Sequence, residues 1–235
     1  MIQAKNLKPV SYLLSIFTPQ VSFSLNPILK ELMTNFGDVL NGQLATLPLP
    51  QDAPAEIPRL TLPSLDARFK LEIAPARVNL FRLRTKGDAN VNAAEFLALA
   101  RRIFQSYIQT VGAVVGRMSS VVVKYNVLNS PGLEIATHFC KDERLKTAFT
   151  RPENFEIHAH KSYERQGFHM NSWVRTKSGF LAPQNQPAVV VEHDLNTLHE
   201  QLTQNRFTVD DIGRFLQFAD EEHESVLALY FPNHA

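Results

Sequence analysis

Apolar and polar residues alternate with a period of two along several short stretches of the chain, which is the pattern of strands with one buried face. The clearest example is 68–73, where Phe69, Leu71 and Ile73 alternate with charged residues. The same pattern predicts strands at 10–17, 68–73, 77–84, 113–127, 132–140, 154–164, 168–177 and 187–195. Gln166-Gly167 separates two of these runs and predicts a hairpin turn.

Apolar residues at helical spacing predict four helices, at about 26–37, 91–110, 142–149 and 208–230. Asn26-Pro27 is typical of a helix start, and Gly37 is typical of a helix end. Thr208 and Asp211 resemble a capping box with Asp in place of Glu. Between the first two helices, residues 48–63 contain five prolines, so an extended surface connection is expected there.

Together these elements predict an α+β protein with an antiparallel-rich sheet and two long helices. The order strand, helix, strands, helix in the first half is echoed in the second, so one interpretation is a duplicated half. A break near 128–131 then predicts an N-terminal half over 1–128 and a C-terminal half over 129–235. The alternative is one continuous sheet that both halves share.

Composition fits a globular chain: 44% of the 235 residues are hydrophobic and 20% are charged. The formal net charge of +1 conceals an asymmetry, since 59–124 has eleven Lys and Arg against four Asp and Glu. Residues 192–235 have nine acidic side chains against two basic ones. These blocks of +7 and −7 predict surfaces that attract each other within one chain or across a dimer.

Several function classes are excluded by missing motifs. The chain has no Gly-rich phosphate loop, no GxGxxG, no GxSxG and no HExxH. The single cysteine, Cys140, excludes a disulfide framework; it is expected to be a small core residue, although His138 shares its predicted strand face. No apolar run approaches the roughly 20 residues of a membrane span, and no signal-peptide cleavage site is present. We therefore expect a cytoplasmic protein with no membrane contact, and we predict no cofactor.

The predicted hairpin contains the strongest group of candidate site residues. His158 and His160 share one face of its first strand. With the turn at Gln166-Gly167, His160 faces Trp173 across the hairpin. The candidate binding residues are His158, His160, Glu164, His169, Trp173 and Arg175. Three interpretations remain open: a metal or acid–base site, a contact surface for a ligand or protein, and a solvated polar face.

A second candidate surface is basic. Arg68 and Lys70 lie on one face of a predicted strand, and Arg82 and Arg84 lie on one face of the next. Such side chains are suited to phosphate groups. No string of aromatic residues accompanies them, so contact with a nucleic-acid backbone is the most that this surface predicts.

Two further histidines are expected to be structural. In a strand over 187–195, His193 points with Val189, Val191 and Leu195, so we predict that it is buried. His223 lies on the apolar stripe of the last helix, where packing against the core is expected. Asp220 lies on the same helix face but has no second copy of its motif that would indicate a metal bundle.

Short segments along most of the chain resemble a sporadically distributed family of uncharacterised bacterial proteins. They are APAEIPRL at 53–60, DARFKLEI at 66–73, RVNLF at 77–81, Gly116-Arg117 with Tyr125-Asn126, DLNT at 194–197 and the closing stretch at 221–231. The family's acidic N-terminal strand is missing from this chain. The resemblance implies no established activity and no catalytic residue; it implies an accessory protein of mobile-element or defence-type loci.

These observations lead to three functional hypotheses. The first is a non-enzymatic cytosolic interaction protein with a protein partner or self-association, because catalytic motifs are absent and the charge blocks are opposed. The second is a metal-dependent hydrolase or nuclease that uses the face of His158, His160 and His169. The third is a nucleic-acid binder that uses the basic strands over 68–86.

Overall fold

A computed structural model describes residues 2–19, 23–50, 52–85, 93–147, 150, 152–182 and 184–233. The strands are β1 (Lys8–Phe17), β2 (Ala45–Thr46), β3 (Leu60–Pro63), β4 (Phe69–Ala74), β5 (Arg77–Leu83), β6 (Arg117–Val127), β7 (Glu156–Arg165), β8 (Phe168–Leu181) and β9 (Gln186–Thr197). The α-helices are α1 (Leu25–Phe36), α2 (Ala93–Val111), α3 (Pro131–Phe139), α4 (Asp142–Leu145) and α5 (Val209–Tyr230), and short 3-10 helices cover Ala4–Asn6 and His199–Gln201.

All nine strands belong to one sheet in the order β2-β3-β4-β5-β1-β6-β9-β8-β7. Every strand pair is antiparallel, which confirms the predicted α+β class. β1 and β6 pair at the centre and join two runs of elements with similar order, β1-α1-β2-β3-β4-β5-α2 and β6-α3-α4-β7-β8-β9-α5. The sheet is therefore continuous across residues 128 and 129.

The hydrophobic core lies on one side of this sheet. Its strand members, such as Leu14, Ile16, Val78 and Leu80, all point to the side on which the helices pack. α2 contributes a stripe that includes Phe96, Ile103 and Phe104, as its helical spacing predicts. Neither core cluster includes a strand side chain that points to the other side. In the described part of the chain, one face of the sheet is thus covered by helices; we call the other the helix-free face.

The segment over 132–140 is a helix, and the strand predicted there is wrong. α3 begins at Pro131, whose fixed φ suits the first turn. Its buried residues Ile135 and Ala136, with the partly buried Phe139, follow helical spacing. His138 and Cys140 consequently do not share a strand face. His138 lies on the helix and bonds the Tyr230 carbonyl at 2.8 Å, and Cys140 ends the helix.

Other boundaries shift by smaller amounts. α1 begins at Leu25, one residue before Asn26, and the strand predicted from 113 begins at Arg117. The proline-rich segment ends in β3, which the prolines concealed. The hairpin turn at Gln166-Gly167 is confirmed, with φ of 52° and 80°, values that a type I′ turn requires.

The last helix, α5, is anchored to the sheet by polar contacts as well as by packing. Its first turn has the predicted capping box: Asp211 N donates to Thr208 Oγ1 at 3.1 Å, and Thr208 N donates to Asp211 Oδ2 at 2.9 Å. Further along, the buried Glu222 carboxylate accepts the Tyr163 hydroxyl at 2.6 Å and pairs with Arg165. α5 therefore reaches across to β7, the edge strand of the sheet.

Two buried histidines form the centre of this contact. His193 on β9 and His223 on α5 are 0% and 2% exposed, as predicted, and their Nδ1 atoms are 2.9 Å apart. The Nε2 of His223 bonds Ser120 Oγ at 2.8 Å, and the Nε2 of His193 bonds Ser172 Oγ at 2.9 Å. Four elements, β6, β8, β9 and α5, are thus connected by one chain of buried hydrogen bonds.

The environment of this pair disfavours imidazolium. Burial lowers the pKa of His193 to about 4. Burial, the neighbouring His193 and the Lys124 ammonium lower the pKa of His223 well below its usual range. Both rings are therefore neutral at pH 7.

We expect the free energy of unfolding to fall as the pH drops from about 6.5 towards 4, because the unfolded chain binds protons on these histidines in that window and the folded chain does not. For His193 alone the loss is on the order of 3 kcal/mol. Urea denaturation at several pH values measures this loss. The variant H193Q/H223Q should lose less stability over the same window; an unchanged pH dependence would contradict the assignment.

Removal of the cap should destabilise the last helix. Thr208→Ala leaves the Asp211 amide without its acceptor and should lower the free energy of unfolding by about 1 kcal/mol. Thr203→Ala, at an exposed threonine in the preceding turn, is the control and should change it by less than about 0.5 kcal/mol. Equal effects of the two substitutions in urea denaturation would show that the cap contributes nothing.

Candidate functional site

The helix-free face consists of rows of side chains that run across the sheet, because strand register places them opposite one another. One row is polar and crosses seven strands: Glu72, Asn79, Ser15, Ser119, Asn196, Asn171 and Ser162. The next row is mainly apolar and aromatic: Phe81, Leu13, Val121, Asp194, Trp173 and His160. These two rows form the middle of the face.

The centre of the polar row is symmetric about the β1–β6 pair. Ser15 lies opposite Ser119, and each has an asparagine on its outer side, Asn79 and Asn196. Ser15 Oγ donates to Asn79 Oδ1 at 2.8 Å. All four residues are at most 7% exposed although no helix covers them, so they lie below the level of the larger flanking side chains. The centre of the polar row is therefore a recessed set of neutral hydrogen-bonding groups.

Aromatic rings lie beside the polar row, and arginine side chains pack on them. Trp173 stacks on the His160 ring at a centroid distance of 4.1 Å, and the Arg175 guanidinium lies 5.5 Å from the Trp173 ring. At the end of the central strands, Arg77 and Arg117 lie 6.0 and 4.7 Å from the ring of Phe17. Trp and Arg are residue types that recur at protein–protein contacts.

Several charged side chains of this face are paired on the face itself. Lys70 bonds Glu72 at 2.8 Å, and Arg175 pairs with Glu192. Arg117 donates to Asn196 Oδ1 at 2.8 Å and to the Thr197 carbonyl at 3.1 Å. Burial lowers the pKa of the Arg117 guanidinium, and the Asp194 and Glu200 carboxylates oppose that effect. These contacts hold part of the charge of the face within the face itself.

The predicted histidine site lies on this face, at its β7–β8 edge, but its members do not converge. His158 bonds Glu156 at 2.7 Å, His160 stacks on Trp173, and His169 lies 3.4 Å from Glu164. Both predicted cross-strand pairs, Glu164 with His169 and His160 with Trp173, are present. Among the described residues, no group of three or more His, Cys, Asp or Glu side chains could hold a metal ion.

The structure does not bring the four predicted basic residues to one surface. Lys70 lies on the helix-free face, whereas Arg82 is 5% exposed on the helix-covered face, where it lies over the Phe69 ring. Arg68 pairs with Asp66 at 2.9 Å before β4 begins. Arg84 follows β5 and contacts Tyr125. Sequence alternation could not show that α2 packs over the side on which Arg82 lies.

Among the described residues, the two charge blocks meet within the chain in two ion pairs. Arg101 of α2 lies 3.3 Å from Asp210 of α5, and Lys124 of β6 pairs with Glu224 of α5. Both pairs help to hold α5 in place. The polar row was not recognised from sequence, because serine and asparagine in a strand carry no signal until the register places them side by side.

Because the three histidines have separate partners, the variant H158A/H160A should keep the parent's free energy of unfolding within about 0.5 kcal/mol. Neither protein should bind stoichiometric Zn²⁺ in calorimetric titration at pH 7.5. Stoichiometric zinc that is bound by the parent and lost in the variant would contradict this expectation and favour the hydrolase hypothesis.

None of the described helices is long and apolar enough to cross a membrane. No family model matches the chain, and no curated protein matches it. Among solved structures, TBP from Methanococcus jannaschii is similar over 94% of this chain and 98% of its own, with 12% identity and a TM-score of 0.30. The di-domain ARO/CYC StfQ from the steffimycin biosynthetic pathway is similar over 94% of this chain and 97% of its own, with 11% identity and a TM-score of 0.20. At such TM-scores neither similarity bears on the function of this chain.

Proposed function

We propose that the protein is a non-enzymatic interaction protein and that its contact surface is the helix-free face, occupied by a second copy of the chain. The observation that carries the proposal is the uncharged centre of this face, formed by Leu13, Ser15, Ser119 and Val121 on the paired strands β1 and β6. A cytoplasmic location and an accessory role in bacterial mobile-element or defence loci are part of the proposal and rest on the sequence features described above.

Charge favours a protein occupant over a nucleic acid. Among the described strand residues of the face, six basic side chains stand against five acidic ones: Lys8, Lys70, Arg77, Arg117, Arg175 and Lys177 against Glu72, Glu156, Glu164, Glu192 and Asp194. Nucleic-acid affinity depends on an excess of basic groups that replaces the counterions of phosphates. A nearly balanced face with apolar and neutral polar residues at its centre suits the surface of a protein.

A second copy satisfies the requirements of such a centre. In a two-fold dimer each surface contacts the same surface of its partner, so residues near the axis oppose their own kind. Charged residues there would repel, whereas Leu13, Val121 and the two serines do not. The outer parts of the face carry both signs of charge and can pair across the axis.

The size of the face also suits a dimer. Strands β3 to β7 span seven spacings in the sheet order, and residues 11 to 17 of β1 set its height. With about 4.8 Å between strands and about 3.4 Å per residue, the face covers roughly 700 Å². Stable interfaces bury about 800 Å² per partner.

The test uses one position at the centre and one at the periphery of the same strand. Val121→Asp places a carboxylate opposite its own copy and should weaken dimerisation roughly a hundredfold, measured by sedimentation equilibrium. Val127→Asp is the matched control: Val127 is 43% exposed and lies about 20 Å along β6 from Val121. It should leave the dimer unchanged.

Rescue by opposite charge keeps the test independent of folding. Val121→Lys should also be a monomer alone, but a 1:1 mixture with Val121→Asp should form a heterodimer detectable by native mass spectrometry. A parent protein that is monomeric at 100 µM would overturn the proposal. So would a dimer that both Asp variants leave intact.

Salt separates this dimer from one formed by the opposed charge blocks. A contact through the uncharged centre should change little between 50 and 500 mM NaCl. A contact through exposed charges should weaken, because such charges are screened over about 10 Å at 0.1 M salt. If salt strongly weakened the dimer, the proposed surface would be wrong and the charge blocks would form the contact.

A further inference from the structure

A cavity of about 450 Å³ lies away from the middle of the helix-free face. It is bounded by the first turn of α3, by the segment 152–154 and by the adjoining ends of β8 and β9. Its volume is within the range of small-molecule sites, which begin near 300 Å³. The pairing of β8 with β9 and the packing of α3 on both strands shape its walls.

The lining of this cavity is mainly apolar. Three prolines, Pro131, Pro152 and Pro187, contribute to it together with Leu133 and Phe180. Phe180 is 67% exposed and Leu133 is 38% exposed. Exposed apolar side chains that surround a cavity indicate a surface that a ligand or partner covers.

One wall is held by close backbone packing. The carbonyl oxygens of Pro152 and Glu153 lie so near Gly132 that a Cβ at that position would be 2.5 Å from each. The absence of a side chain at Gly132 therefore lets the segment 152–154 lie directly on the first turn of α3. On the other side, Ser178 Oγ lies 3.4 Å from Asn154 Oδ1 and joins this segment to β8.

Among the described residues that line the cavity, the charge has one sign. Glu153 is the acidic residue of this set, and no Lys, Arg or His belongs to it. No ion pair of Glu153 occurs among the described residues. An apolar cavity with a carboxylate and an accessible aromatic ring has the components that recognise an organic cation.

We propose that this cavity is a binding site for a small organic cation with an apolar body, of the arylalkylamine class. The apolar body lies against the prolines and Leu133, the ammonium group pairs with Glu153, and Phe180 contacts the cation or the adjoining ring. Asn154 and Ser178 supply neutral polar contacts at the rim. The proposal is independent of dimerisation through the helix-free face.

Three probes with the same body and different head groups test the chemistry: 2-phenylethylamine, 2-phenylethanol and phenylacetate. Binding to the full chain is followed by amide chemical shifts in heteronuclear NMR at pH 7.5. The amine should bind most tightly, roughly fivefold tighter than the alcohol, as expected for a partly exposed ion pair. The carboxylate should bind most weakly, because Glu153 repels it.

Two variants assign the contacts. Glu153→Gln should remove the preference for the amine over the alcohol and leave the affinity for the alcohol unchanged, whereas Glu221→Gln, at an exposed glutamate on α5, should leave the preference intact. Phe180→Ala should weaken all three probes at least threefold, whereas Leu229→Ala, at an 80% exposed leucine on α5, should weaken none.

Several results would overturn the proposal. One is no saturable shift at the cavity residues with any probe up to 10 mM. Another is tightest binding of phenylacetate, which would assign the site to anions. If Glu153→Gln still preferred the amine, the Glu153 carboxylate would not be the group that recognises it. Both variants alter exposed side chains, so each should keep the fold of the parent. The amide spectrum of each variant shows whether it does.

Discussion

The antiparallel pairing of β1 with β6 is the contact on which the rest of the molecule depends. It joins a run of five strands to a run of four in one sheet, and it sets the register from Phe17 with Arg117 to Ser11 with Val123. Because side chains alternate, this one register decides which residues of both halves share a face. A shift by one residue would move Leu14 and Ile16 away from the helices and bring the serines and Phe17 into the core.

The two faces of the sheet are buried by different means. On the helix-covered side, apolar side chains from α2 and α5 fill the space above the strands, and His193, His223 and their two serine partners are hydrogen-bonded in a chain. On the helix-free side, small polar side chains lie low between larger ones and bond laterally to their neighbours. Ser15 and Asn79 satisfy each other in this way, so low exposure costs them little.

Local pattern was sufficient for most elements, because period-two alternation and helical spacing are properties of the chain itself. The alternation around His193 correctly predicted its burial, and the turn at Gln166-Gly167 correctly predicted the pairing of His160 with Trp173. The apolar pattern gave the wrong prediction at 132–140, because the short helix there has a mixed composition that resembles a strand. The structure shows that Ile135 and Ala136 pack side by side. The pattern also could not assemble the candidate surface, since rows across a sheet depend on the register between distant strands.

The histidines of the hairpin also show what sequence pattern cannot predict. Residues two apart on a strand share a face but lie about 7 Å apart, so His158 and His160 reach one point only when their rings turn towards each other. In the structure the His158 ring turns to Glu156 on the same strand, and the His160 ring turns to Trp173 across the hairpin. The choice among such competing partners decides the orientation of a side chain, and the strand pattern does not specify it.

The contact between the two buried imidazoles gives their hydrogen-bond chain a direction. When both rings are neutral, one Nδ1 carries the hydrogen and the other accepts it, so the two rings are opposite tautomers. If His193 carries it, its Nε2 accepts from the Ser172 hydroxyl, while the Nε2 of His223 donates to Ser120 Oγ. The reverse arrangement uses the same four groups with every hydrogen moved to the other partner. The orientation of a serine hydroxyl on β8 is therefore coupled to that of a serine hydroxyl on β6, through two aromatic rings and without any movement of the backbone.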